Sequence, residues 1–123
     1  MGERRFGMTP AEWATSRDEL EALLREAAGQ HRTVTYGEAA RRAFGGRFSA
    51  RSGALMTLLS EVDSAMLEAR GIMIATLVVR ADSGRPGEGY FAFAERAGEQ
   101  VEDREAYWLD HAERVWAAFR EQA

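Results

Sequence analysis

Apolar residues recur at helical spacing early in the chain. Leu20, Leu23, Leu24 and Ala27 fall at i, i+3, i+4 and i+7, which is one buried stripe of a helix with charged residues between them. The stretch "MTPAEW" supplies the start of that helix: Thr9 as N-cap, Pro10 at the first helical position and Glu12 three residues beyond the cap. "SRDE" at 16–19 repeats the capping pattern and predicts a break or restart there, and Gly29 ends the helix. "RTVTY" reads as a short strand and "GEAARRAF" as a two-turn helix stopped by Gly45 and Gly46. A third helix is expected from near Ser49 to Arg70, with Leu55, Leu58, Leu59, Val62 and Met66 on one face and Gly71 at its end.

Beyond Gly71 the pattern changes. "IMIATLVVR", residues 72–80, reads as the clearest strand in the chain, apolar enough to be covered on both faces at its centre. "ADSGRPGEG" is turn chemistry, and "YFAFA" at 90–94 reads as the returning strand of a β-hairpin. A last helix has Asp103 as its N-cap and Trp108, Ala112, Val115, Trp116 and Phe119 at helical spacing. The order is helix, short strand, helix, helix, β-hairpin, helix. That predicts an α+β fold: a small winged helix-turn-helix-like domain spanning 1–123, with the hairpin as its wing.

At 123 residues the chain has room for one core and no second domain. No run of about 18 apolar residues occurs, so no membrane span is expected, and "MGERRFGM" lacks the apolar segment of a secretory signal. There is no cysteine, which excludes disulfides, thiol nucleophiles and thiolate metal sites, and a cytoplasmic location is the default expectation. All 16 basic residues are arginine. The absence of lysine excludes a Schiff-base lysine and a Walker A phosphate loop.

Charge adds a direction to this picture. The net charge is −4, yet residues 32–51 carry Arg32, Arg41, Arg42, Arg47 and Arg51 against Glu38 alone, while residues 94–123 are acidic. Phosphate contact is local, with a Debye length of about 8 Å at physiological salt, so a basic segment on an acidic body is compatible with a polyanion partner. The expected nucleic-acid contacts are Tyr36, Arg41, Arg42, Arg47, Ser49, Arg51 and Ser52, with Arg80 and Arg85 on the wing. Arg41 and Arg42 also suit a solvated helix face paired with Glu38, and Ser49 suits a helix cap.

Catalytic chemistry is not apparent. Glu61, Asp63, Glu68 and Asp82 form no recognisable acid–base pair by spacing. Glu61 lies beside the apolar stripe, and if buried it would need a partner, arginine being the natural one. His31 and His111 are distant in sequence, so neither a metal site nor another cofactor is expected. The aromatic stripe of the last helix, Trp108, Trp116 and Phe119, reads as core packed on the first helix, or as a surface for a protein partner or a second copy if it is exposed.

"TVTYGEAARRA" followed by "SARSGAL" resembles the winged-helix DNA-binding domain of the O6-alkylguanine alkyltransferases and the alkyltransferase-like proteins. The resemblance covers residues 33–55, and 72–80 in hydrophobic pattern only. It implies that Tyr36 lies beside a flipped nucleotide and that Arg51 fills the vacated base stack. It does not extend to the chemistry. Where the family has its reactive cysteine in a P-C-H-R-V motif, this chain has "IATLVV", with Ala75 at the place of the cysteine. The expectation is a non-enzymatic DNA-binding protein using the basic segment 36–52 and a wing. The alternative is a protein-interaction or adaptor domain on the same scaffold.

Overall fold

The computed structural model describes residues 4–120; the first three residues of "MGERRFGM" and the last three of the chain lie outside the described residues. Five helices and a two-stranded sheet make up the described chain: α1 (Pro10–Gly29), β1 (Val34–Thr35), α2 (Tyr36–Phe44), α3 (Gly53–Arg70), β2 (Val78–Val79), α4 (Glu88–Arg96) and α5 (Arg104–Phe119). A single 3-10 turn, Ile74–Leu77, leads into β2. The fold is therefore α+β and mostly helical.

Local chemistry accounts for most helix ends. Thr9 Oγ1 accepts from the Glu12 N–H at 3.1 Å while Glu12 Oε1 accepts from the Thr9 N–H at 2.8 Å. Thr35 and Glu38 form the same reciprocal cap at the start of α2. α2 and α3 each end on a glycine in the left-handed region, Gly45 at φ 64° and Gly71 at φ 72°.

Helix α1 runs unbroken through the second capping pattern. Ser16 is buried there, one turn from both Trp13 and Leu20, so it continues the packed face instead of starting a helix. α3 begins later than expected, because its N-cap is Ser52, which accepts from the Leu55 N–H at 3.2 Å. Ser49 instead closes the preceding turn, its Oγ accepting from the Arg51 N–H.

The hairpin expectation is corrected. The only strand pairing in the sheet is parallel, with Val34 opposite Val78 and Thr35 opposite Val79. Residues 72–80 form the 3-10 turn and a two-residue strand, and residues 88–96, including "YFAFA", form helix α4. A stretch that is apolar but for Thr76 shows no clear period, so 72–79 gave no evidence of how much of it was extended. In 88–96, Tyr90, Phe91 and Ala94 are buried at helical spacing, and Ala and Glu favour helix over strand. "ADSGRPGEG" is thus a closed turn before a helix. The Arg80 N–H donates to Arg85 C=O and the Gly84 N–H to Arg80 C=O, both at 2.9 Å.

The buried apolar side chains form one continuous cluster, with Leu20, Leu24, Leu55, Leu58, Ile74, Leu77 and Phe119 among the fully buried ones. The 3-10 turn sits at its centre, and its buried polar groups are met by side chains of three helices. Asp63 of α3 accepts from the Ala75 N–H at 2.8 Å, Trp108 of α5 donates its indole N–H to Thr76 C=O at 2.8 Å, and the Thr76 hydroxyl bonds Tyr90 of α4 at 2.9 Å. A buried irregular segment needs such partners, since it has no ladder of its own. Among the described residues, no helix is long and apolar enough to cross a membrane.

Candidate functional site

Helix α2, the turn after it and the first turn of α3 carry the basic segment as consecutive elements of the chain. Helices α1, α2, α4 and α5 each carry an acid in the first turn, whereas α3 carries none. The free N–H groups and positive dipole end of α3 are thus not neutralised by its own side chains.

The nine residues expected from sequence divide by what already holds them. Arg41 and Arg51 are exposed and make no side-chain hydrogen bond or ion pair with the described residues. Arg47 donates to Gly7 C=O at 3.0 Å, lies 3.9 Å from Glu12 and covers the Phe48 ring, leaving part of its guanidinium open. Arg42 is committed: it bonds Glu19 at 2.7 Å and Glu26 at 2.9 Å, and these carboxylates push its pKa further up. Arg80 is fixed on Asp82 by two bonds, and Arg85 lies over the Trp108 ring and bonds Glu105. The two arginines assigned to a wing thus serve a turn and the α5 surface. Ser49 and Ser52 are spent on caps.

Tyr36 is also engaged. Its hydroxyl accepts from the Gly87 N–H at 2.9 Å, and burial raises its pKa. The ring forms part of a cavity of ≈ 160 Å³ between α3 and α4, reached also by Met56, Asp63, Ala75, Tyr90 and Phe93. Of the carboxylates considered from sequence, Asp82 is held by Arg80, Glu61 is paired at the edge of the core, and Asp63 is the buried one. Glu61 is about a quarter exposed and is held by Arg5, by Arg17 at 3.8 Å and by the Trp13 indole N–H at 3.0 Å. Asp63 is 3% exposed, and this desolvation raises its pKa to about 7 against the pull of the Ala75 N–H. The signal for Asp63 was its place on the stripe, four residues after Leu59 and three before Met66.

A second, wider groove of ≈ 380 Å³ lies between the start of α1 and Glu61, lined by Arg5, Trp13 and Arg17. Its arginines are the ones that hold Glu61.

The aromatic stripe of α5 is core. Trp108 and Phe119 are buried, and α5 packs on α1 and on the 3-10 turn. Trp116 is half-buried, stacked on His31 with ring centroids 4.1 Å apart and donating to Arg32 C=O at 3.1 Å. The surface for a partner or second copy considered from sequence is thus largely used internally, with Leu109 the exposed large apolar residue of α5. His111 stacks on Tyr107 at the other end of that helix from His31's contact, and among the described residues no three His, Cys, Asp or Glu side chains converge as metal ligands. No family model, curated protein or solved structure matches the chain.

Proposed function

We propose that the protein binds duplex DNA without acting on it chemically, with the helix pair α2 and α3 turning its shared corner to the phosphates and no wing beside it. Arg41 and Arg51 supply the cationic contacts, with the open part of the Arg47 guanidinium, otherwise held by Gly7 and Glu12, beside them, and the start of α3 supplies backbone donors. What carries the reading is the coincidence of uncommitted arginines with a helix N-terminus free of acids. Arg42, Arg80 and Arg85 drop out because acids of the chain already hold them. Ala75 supports the non-enzymatic part, since a methyl group stands where the resembling family has its nucleophile.

The test is a salt titration of binding to a duplex. Arg41→Ala and Arg51→Ala should each reduce the salt slope by about one and weaken all sequences alike. Arg42→Ala should leave the slope unchanged. A double Arg41→Ala, Arg51→Ala variant with wild-type affinity overturns the proposal. A mass gain by the protein after incubation with DNA containing O6-alkylguanine overturns its non-enzymatic part.

A further inference from the structure

We propose that the cavity between α3 and α4 is a binding site for a single-ring aminoheterocycle, a planar ligand that offers N–H donors to the Asp63 carboxyl group. The cavity measures ≈ 160 Å³. A cavity of about 150 Å³ takes up one benzene molecule, so the space suits one ring and not a fused pair. Its large side chains are mostly aromatic or thioether, Tyr36, Tyr90, Phe93 and Met56, with Leu59 and two alanines completing the apolar wall. Such faces favour a flat ring over an aliphatic chain.

The polar demand comes from Asp63. Oδ1 accepts from the Ala75 N–H, and among the described residues none donates to Oδ2. Among the described residues no side-chain oxygen or nitrogen is both sealed from solvent and unpartnered, so Oδ2 opens onto the cavity that Asp63 lines. In its ionised form this unmatched carboxylate oxygen selects for donors and against carbonyl or carboxylate ligands. The two tyrosine hydroxyls do not compete for this role, since Tyr36 bonds Gly87 and Tyr90 bonds Thr76. The remaining polar groups facing the cavity are Ser60 of α3 and the exposed Arg96 of α4. Arg96 disfavours a permanent cation, which leaves weakly basic rings bearing an amino group.

The site is independent of the DNA corner, and so is its test. 2-Aminopyridine is titrated into the protein above pH 7, where Asp63 is ionised, with the Ala75 backbone amide as reporter, alongside toluene and benzoate. Saturable shifts are expected with 2-aminopyridine, with neither control matching them. Asp63→Asn should weaken binding about ten-fold or more, as loss of a hydrogen bond to a charged group does. Gly89→Leu should abolish it, because Gly89 sits at the cavity mouth with room for a Cβ 3.6 Å from Met56 Sδ. Leucine also favours the helix there, so this variant tests the site even if Asp63→Asn fails to fold. Equal binding of toluene, unchanged binding by Gly89→Leu or Asp63→Asn, or no shift with 2-aminopyridine each overturns the assignment. Arg51→Ala should leave the titration unchanged, which separates this site from the DNA reading.

Discussion

Trp108 offers the sharpest test of how the core is organised. The side chain is 4% exposed, and its indole N–H is the partner of Thr76 C=O in the central 3-10 turn. A buried tryptophan covers about 150–250 Å², roughly 4–6 kcal/mol of gross burial at about 25 cal/mol per Å². Truncations of this kind cost about 3–5 kcal/mol, and Trp108→Ala should fall in that range. Trp108→Phe keeps a ring but withdraws the donor, leaving a buried carbonyl unpaired at about 1–3 kcal/mol. Trp116→Ala makes the internal comparison, since that ring is half-buried beside His31 and should cost about 1–2 kcal/mol. Thermal melts of the three variants at one pH read these differences at roughly 4 °C per kcal/mol. A wild-type melt for Trp108→Phe, or a larger loss for Trp116→Ala than for Trp108→Ala, would refute the role given to the indole.

Burial raises the Asp63 pKa from 3.8 to about 7, so the native state holds that proton more tightly than the unfolded chain. Its contribution to stability is complete below 3.8 and is lost as the pH climbs to about 7. Chemical denaturation of Asp63→Asn across this window should show the slope removed and the variant gaining on wild type at higher pH; an unchanged slope would place the titration elsewhere. Gly71→Ala should cost about 1 kcal/mol, through backbone conformation alone: φ is 72° and nothing stands within 4 Å of an added Cβ. A neutral result in denaturant melts would show that the α3 terminus rearranges freely. Arg42→Ala should be salt-sensitive in stability and silent in DNA titrations, since Glu19 and Glu26 hold that guanidinium.

The helices were legible wherever polar and apolar positions alternate at 3.6. Leu20, Leu23, Leu24 and Ala27 marked α1, and Leu55 to Met66 marked α3, because a half-buried helix must show its period. Caps such as Thr9 with Glu12 placed ends closely, for their chemistry is local. Residues 73–79, all buried, were opaque for the opposite reason: a segment enclosed on every side has no polar face to report its geometry. "YFAFA" misled because Tyr90, Phe91, Ala92, Phe93 and Ala94 are apolar without interruption, so only propensity distinguished helix from strand. Of the basic residues, sequence located the segment but not the partners. Glu19 and Glu26 reach Arg42 from another helix, and such pairing across 16 to 23 residues leaves no trace in local spacing.

The 3-10 turn has a consequence for how the molecule opens. Ile74–Leu77 is completed only by Asp63, Tyr90 and Trp108, which arrive from three helices spread over 45 positions of the chain. No one of those helices can leave without stranding a buried polar group, so partial detachment is penalised each time. The turn thereby ties α3, α4 and α5 into a single cooperative unit, although it has only one helical turn of its own. The Ala75 amide should belong to the slowest class in hydrogen exchange, released with global unfolding, while the amides of the 80–87 turn exchange through small local openings.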